Sequence, residues 1–338
     1  MSEELPQPSM RAVAYEGAGG REVVAVQDRP VPSPGPGEVL IKVTAAGINR
    51  ADLLQRAGNY PIPEGASDLP GLEVSGTIEE AGAGVGNWDF GTPVCALLAG
   101  GGYAEYVAVP AGQVVPVPDG VSLTDAAGLP EVAATCWSNL VMAAGVQSGD
   151  WVLVHGGTGG IGSFALQLLQ ALGARPIATA GSPEKMARSL ERGAEAAINH
   201  REEDFVARVR EITDGHGADV ILDVMGAKYL TSNVKTLARG GQLVVIGLQG
   251  GTTGDLPLGA VMGKNAVVTG TMLRPRPVAE KSEIMRQVAE RVWPLVSNGA
   301  IRATTDSTFP LAQAAQAQDR FEESDRTGKV LLVTGVGR

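Results

Sequence analysis

The stretch WVLVHGGTGGIGSFALQLLQALGA (151–174) decides the fold. It opens on WVLVH, an apolar run halted by glycine, which reads as a buried strand. It closes on FALQLLQAL, whose composition and length suit a helix. Between them stands Gly157-x-Gly159-x-x-Gly162. Alone this spacing is weak, but between a strand and a helix it predicts a phosphate-binding turn. The first glycine permits a tight turn, the second lets the backbone approach a pyrophosphate, and the third lets the helix lie close on the strand. Unsatisfied N–H groups at the helix start then hold the phosphates. Gly157, Thr158, Gly159, Gly160, Ile161 and Gly162 are therefore candidate cofactor contacts.

Outward from the turn, strands and helices alternate. PIATA (176–180), AAIN (196–199), ADVILDV (218–224), QLVVIG (242–247) and NAVVTGTML (265–273) are near-continuous apolar runs like WVLVH. Such runs suit parallel strands covered by helices on both faces. Helices are predicted at about 160–172, at 183–192, over FVARVREIT and through 238. The set makes a doubly wound α/β unit. Upstream, EVLIKVTAAGI (38–48), GTIEEAGAGV (76–85), GTPVCALL (91–98) and GYAEYVAVP (102–110) are short apolar runs cut by Gly and Pro, which read as strands of an all-β unit. The texture changes near Leu123, where TDAAGLPEVAATCWSNLVMAAG (124–145) predicts a helix capped by Thr124 and stopped by Gly145. Helices at about 280–297 and 311–323 precede a last strand, GKVLLVTG (328–335), which is expected to return to the β-rich unit.

With 338 residues the chain exceeds what one core holds, so two domains are expected. A formal charge of −10 argues against nucleic acid or anionic membrane as partner. MSEELPQPS (1–9) has no apolar core of a signal peptide, and no segment approaches a membrane span. Cys95 and Cys136 are too few for a disulfide framework or a structural zinc site. They are expected to be buried, reduced thiols in a cytoplasmic protein. Trp88, Trp137 and Trp293 are assigned to packing.

The choice of dinucleotide turns on the end of the second strand. An acid there would bind the ribose 2′-OH of NAD. The segment reads TAGSPEKMAR (179–188), with Gly181 and Ser182 where the acid would stand. Ser182, Lys185 and Arg188 suit a 2′-phosphate instead, and NADPH is the expected cofactor.

Several motifs together resemble the zinc-independent quinone oxidoreductases of the medium-chain dehydrogenase/reductase superfamily, most of all the p53-inducible branch. They are PSPGPGEVLIKVTAAGINRADLLQRAGNY (32–60), PGLEVSGTIEEAG (70–82), GGGYAEYVAVP (100–110), VLVHGGTGGIG (152–162) and ILDVMG (221–226). The resemblance implies a GroES-like β-rich catalytic domain over 1–130 and 275–338, with a Rossmann NADP-binding domain over 131–274 between its halves. It also implies a homodimer formed through the last strand of the cofactor sheet. The 46 glycines suit such a fold of tight turns.

In zinc-dependent relatives the catalytic-metal cysteine stands where this chain has Asn49, and the metal histidine where it has Leu72. The four-cysteine lobe is missing, and the three histidines show no ligand spacing. A metal-free enzyme is therefore expected. Without a Lewis acid, reduction of an already electrophilic quinone or enone is easier than alcohol oxidation.

Asn49 and Tyr60 are the candidate catalytic residues, as donors to the acceptor carbonyl. The alternatives are a turn-forming Asn and a packing Tyr. Asp52 reads as a capping group, and Leu54, where some relatives carry a second tyrosine, makes the pocket more apolar. By resemblance Thr135 approaches the nicotinamide, Gly247, Leu248, Met272 and Leu273 line it, His200 lies near the adenosine phosphate, and Arg326 reaches the 2′-phosphate. NADPH-dependent reduction of α,β-unsaturated carbonyls is the second reading. A non-catalytic RNA-binding or structural role is the third.

Overall fold

The computed structural model describes residues 8–86 and 88–335; most of the amino-terminal stretch read above for a signal peptide lies outside them. Two compact units are present. One holds the described residues through Ala134, then Arg274–Ser297 and those from Ala303 on. The other holds Thr135–Leu273 and Asn298–Arg302.

The first unit begins with an antiparallel pair, β1 (Ser9–Tyr15) and β2 (Val24–Pro30). Its main sheet contains β3 (Glu38–Gly47), β4 (Glu73–Ala81), β5 (Pro93–Leu97), β6 (Tyr106–Pro110) and β7 (Val114–Pro116). The first half of β3 pairs with β6 along one edge, and its last residues pair with a strand from the far end of the chain. Val39, Ile41 and Val43 alternate into the core with Val74, Val94, Tyr103 and Val107, the period-2 pattern that fixes register.

The second unit is one parallel sheet of β8 (Trp151–His155), β9 (Arg175–Ala180), β10 (Ala196–Asn199), β11 (Ala218–Asp223), β12 (Leu237–Val245) and β13 (Val267–Gly270). Its order is β10-β9-β8-β11-β12-β13, so the strand order reverses between β8 and β11, the switch point where such sheets bind ligands. Leu153, Ile177, Ile198, Ile221 and Leu243, one from each of five neighbouring strands, pack in one core. Burying each is worth about 1.5–3 kcal/mol.

The chain then returns to the first unit with β14 (Thr305–Pro310) and β15 (Lys329–Val333). The latter pairs antiparallel with β3, so the expected return of the final strand is observed. Strand β14 escaped the sequence reading, being polar in its first half.

The predicted helix over 124–145 is broken. Ser122, not Thr124, caps a short helix, Leu123–Ala126, by accepting from the Asp125 N–H at 3.0 Å. A second helix opens at Pro130, because proline has no N–H to give a preceding turn but suits a first helical position. After Cys136 it widens into π-helix over Trp137–Ala143, and Gly145 stops it with φ +64°. The run 265–273 is also shorter than predicted: Asn265 is left-handed at the end of helix Leu258–Lys264, and only Val267–Gly270 is strand.

Both cysteines are buried and neither forms a disulfide. Trp137 and Trp293 are buried and Trp88 packs against the β-rich core. Among the described residues no helix is long and apolar enough to cross a membrane.

Candidate functional site

The glycine turn joins β8 to the helix Gly160–Ala171. The left-handed residue is Gly156, φ +78°, one position ahead of the motif. Gly157 answers to packing instead: a Cβ there would stand 2.6 Å from Ser189 Oγ and 2.8 Å from Ala178 Cβ. A Cβ on Gly162 would stand 2.1 Å from the Gly156 carbonyl oxygen, which is why the helix can lie so close. Gly159, the N-cap, is different, since a Cβ there would meet only Gly156 O, at 3.7 Å. Its outer side is open. No side chain caps this helix, so the N–H groups of Gly160, Ile161 and Gly162 have no intrahelical acceptor and face outward with the positive end of the macrodipole. Thr158 is half-buried within the turn. This cradle fits the pyrophosphate of a dinucleotide.

At the end of β9, Ser182 caps the helix Pro183–Glu191 by accepting from Lys185 N–H at 3.3 Å. Gly181 stands beside two side chains of the next strand's loop: a Cβ there would lie 3.3 Å from both Arg201 Nε and His200 Nε2. Partial burial, then the charges of Arg201, Lys228 and Lys185, push the His200 imidazole below its usual range. Glu184 is turned to its own helix start, where its backbone and the Ser182 hydroxyl hold its carboxyl low. His200 and Arg201 thus flank Gly181, and the charges of Arg201, Lys228 and Lys185 all act on His200. Arg201 and Lys228 were not read from the sequence. The available signal was a basic residue next to His200 in NHREED, on the strand that neighbours β9.

Beneath this end lies His155, buried, whose Nε2 is 2.7 Å from Asn233 Oδ1 and whose Nδ1 is 3.1 Å from Thr179 Oγ1. Burial drives its pKa down to about 4, so it is a neutral tie between β8 and β9. The Tyr229 ring packs edge-on to His155 at 4.9 Å and faces His200 at 6.5 Å.

At the carboxyl ends of the central strands, Thr135 is buried and its carbonyl accepts from Asn139 Nδ2 at 2.8 Å. Asn139 Oδ1 in turn accepts from Thr271 Oγ1 at 2.5 Å. The π-helical turn containing Asn139 thereby ties Thr135 to the residues after β13. Gly247 is required where it is, because a Cβ would meet Val224 O at 2.8 Å. Leu248 and Met272 are exposed and Leu273 is half-buried. Asn139 and Thr271 too were missed by sequence reasoning.

In the β-rich unit, Asn49 caps the helix Arg50–Arg56 with Asp52 in a capping box, as expected for Asp52. Asp52 also accepts from Gly71 N–H at 3.2 Å and Tyr103 Oη at 2.8 Å. Burial pushes its pKa up to about 6 against these bonds. The Asn49 amide is fully engaged. Nδ2 donates to Gly47 O at 3.3 Å and to Glu73 Oε1 at 3.0 Å, while Oδ1 accepts from Lys329 Nζ at 2.6 Å. Lys329 pairs with Glu73 Oε1 at 2.6 Å, and Glu73 Oε2 accepts from Glu131 N–H at 2.9 Å. Both Asn49 amide hydrogens therefore meet internal acceptors, Gly47 O and Glu73 Oε1, while the residue stands at the start of its helix.

Tyr60 has no hydrogen bond to its hydroxyl among the described residues. Burial raises its pKa, so it remains a phenol and a donor at neutral pH. The Arg274 guanidinium lies over its ring, 5.4 Å from the centroid. Leu54 is half-buried on the helix before it.

Arg326 donates through Nε to Phe321 O at 2.9 Å and through Nη1 to Gly328 O, and it stacks on Phe321 at 4.2 Å. Its guanidinium braces the turn before β15.

The residues do not fit a catalytic zinc. An amide tied to a lysine holds the cysteine position, Leu72 is buried at the histidine position, and no group of three or more His, Cys, Asp or Glu among the described residues is placed to hold a metal.

Comparison with known proteins follows this geometry. Residues 35–119 match the alcohol dehydrogenase GroES-like domain and residues 160–291 the zinc-binding dehydrogenase family. The quinone oxidoreductase of Rattus norvegicus is 32% identical over 330 residues, 97% of this chain and 98% of its own length. A quinone oxidoreductase from Escherichia coli, crystallised with NADPH, superposes with TM-score 0.85 at 28% identity, covering 96% of this chain and 99% of that one. An NAD-dependent alcohol dehydrogenase superposes with TM-score 0.85 at 32% identity, covering 96% and 100%. On these grounds the chain belongs to the quinone oxidoreductase family of the medium-chain dehydrogenase/reductase superfamily, and it is an NAD(P)H-using oxidoreductase of a small molecule.

Proposed function

We propose that the protein transfers reducing equivalents from NADPH to a quinone without a metal. The observation that carries this reading is the Asn49–Lys329–Glu73 network, which puts an amide at the position of a metal ligand and ties it to an ammonium ion paired with a carboxylate. Chemistry that needs a Lewis acid on an alkoxide has no support from such residues, whereas a quinone is electrophilic already. The names of the rat and Escherichia coli relatives agree with that choice.

The nicotinamide, when bound, supplies the hydride. The Gly160, Ile161 and Gly162 N–H groups hold the pyrophosphate, and Gly159 leaves it room. Ser182, Lys185 and Arg201 around Gly181 receive the 2′-phosphate, with Lys228 adding charge and His200 stacking. That arrangement favours NADPH over NADH, since the carboxylate at hand, Glu184, is turned back onto its own helix start and the Ser182 hydroxyl. Thr135, Gly247, Leu248, Met272 and Leu273 line the ring. Tyr60 donates its hydroxyl hydrogen to the acceptor carbonyl as negative charge gathers there. Asn49 and Asp52 fix the helix that leads to Tyr60.

We also propose a homodimer. Val267 on the edge strand β13, with Leu256, Leu258 and Met262 beside it, is exposed and apolar, a surface suited to pairing with a second copy. Sedimentation as a monomer at micromolar concentration would exclude it.

Steady-state oxidation of NADPH and NADH with 1,4-benzoquinone, 9,10-phenanthrenequinone and a 2-alkenal tests the function. The expected result is quinone turnover preferring NADPH at least tenfold. Turnover confined to the alkenal would establish the second reading instead.

A further inference from the structure

Arg274 is buried, 4% exposed, and its two terminal amino groups, Nη1 and Nη2, find no acceptor among the described residues. Buried donors are nearly always bonded, and a guanidinium cannot shed its proton to escape the cost. Nor is it paired: no carboxylate among the described residues lies within ion-pair distance of it. Everything else about the side chain is fixed. Nε donates to Ala99 O at 2.7 Å, and the guanidinium carbon lies over the Tyr60 ring. Lys281, also buried, donates to the Arg274 carbonyl at 3.4 Å, holding the backbone that carries the fork. Gly100 stands beside the fork, where a Cβ would meet Ser67 O at 2.8 Å, Leu69 O at 3.1 Å and Arg274 Nη2 at 3.6 Å. The nearby charges are Asp52 and Lys281, and burial lowers the Arg274 pKa while Asp52, Tyr60 and Tyr15 oppose that. A cation so anchored, with both prongs unspent beside the candidate donor Tyr60, has the form of a receptor for oxygen.

We infer that Arg274 is a substrate-binding residue, whose guanidinium fork grips an acceptor oxygen bearing full or developing negative charge beside the Tyr60 hydroxyl. The assignment deepens the quinone-reductase reading and rests on it for the identity of the acceptor. Two sources share this chemistry: the carbonyl oxygen being reduced, and a carboxylate substituent on the acceptor ring.

The test combines binding with turnover. Calorimetry of the full-length protein with 4-hydroxybenzoate reads the fork without any reaction. Wild type is expected to bind it at least tenfold more tightly than R274M, while R274K falls between. NADPH affinity, followed by fluorescence, should stay within twofold in all three. In steady-state assays with NADPH, R274M should lose 10- to 100-fold in kcat/KM, the span of one or two hydrogen bonds to a charged group. Loss with both 1,4-benzoquinone and a carboxylated benzoquinone assigns the fork to the reacting carbonyl. Loss confined to the carboxylated acceptor assigns it to the substituent. Equal benzoate binding by wild type and R274M, or kcat/KM within threefold for both acceptors, overturns the inference. Failure of R274M and R274K alike to fold would make Arg274 a structural cation and overturn it too. If wild type binds benzoate through Arg274 but reduces no quinone, the functional reading fails while the oxyanion site stands.

Discussion

The glycine turn after β8 and the Asn49–Glu73–Lys329 network solve the same problem, placing charge-handling groups, by opposite means. The turn is made of backbone, so its specification is the absence of side chains, and four glycines within the six residues 157–162 announce it. The network is made of side chains from β4, from the residue that opens a helix, and from β15; Asn49 and Lys329 are 280 positions apart in sequence. Backbone sites are written locally. Side-chain sites are assembled by the fold, and no spacing announces them.

If that contrast is right, the network should fail as a unit. Lys329→Met strands the Glu73 carboxylate, fully buried, and should cost about 3–5 kcal/mol of stability in urea unfolding. Adding Glu73→Gln should restore more than half of that loss, because the partners are coupled. Additive losses would show two independent side chains and break the comparison.

His155 sharpens it, being a side-chain tie hidden directly under the backbone site. Its folded pKa of about 4 lies below the ordinary imidazole value of about 6.5, so the unfolded chain binds more protons between those values and stability is lost as pH falls through that window. The span is worth about 3 kcal/mol. Relative to His155→Gln, wild type should lose up to that amount between pH 7 and pH 4, read as the change in unfolding free energy difference with pH. Parallel pH curves for the two proteins would show that His155 is not the titrating group.

The smallest effects should separate two glycines of one motif. Gly162→Ala, with its Cβ against Gly156 O, should cost about 1–3 kcal/mol of stability by overpacking. Gly159→Ala should fold within about 0.5 kcal/mol of wild type, yet weaken NADPH roughly tenfold by calorimetry. Equal loss of stability in both would mean that Gly159 is structural and that its open side faces no ligand.

The sequence was readable wherever one local rule sufficed. The alternation of apolar runs and helices foretold the parallel sheet, GKVLLVTG foretold a strand returning to the β-rich unit, and Asp52 was recognisable as a cap. It was unreadable where distant residues meet. Arg274 follows a strand end and looks like a solvated arginine until its burial is seen. Lys329 opens an apolar strand, a signal for a buried cation that only its partners complete. Arg201 gains meaning from lying beside Gly181, across two strands. The break at Pro130 was visible in the residue itself, but the helical texture on either side masked it.

The central claim is most directly tested by titrating the chelator-treated protein with NADPH and with NADH, following nucleotide fluorescence, and then adding 1,4-benzoquinone. The account predicts tighter binding of NADPH, a preference that Arg201→Ala removes, and quinone reduction undiminished by the chelator. Binding of neither nucleotide, or turnover that returns only when zinc is restored, would contradict it.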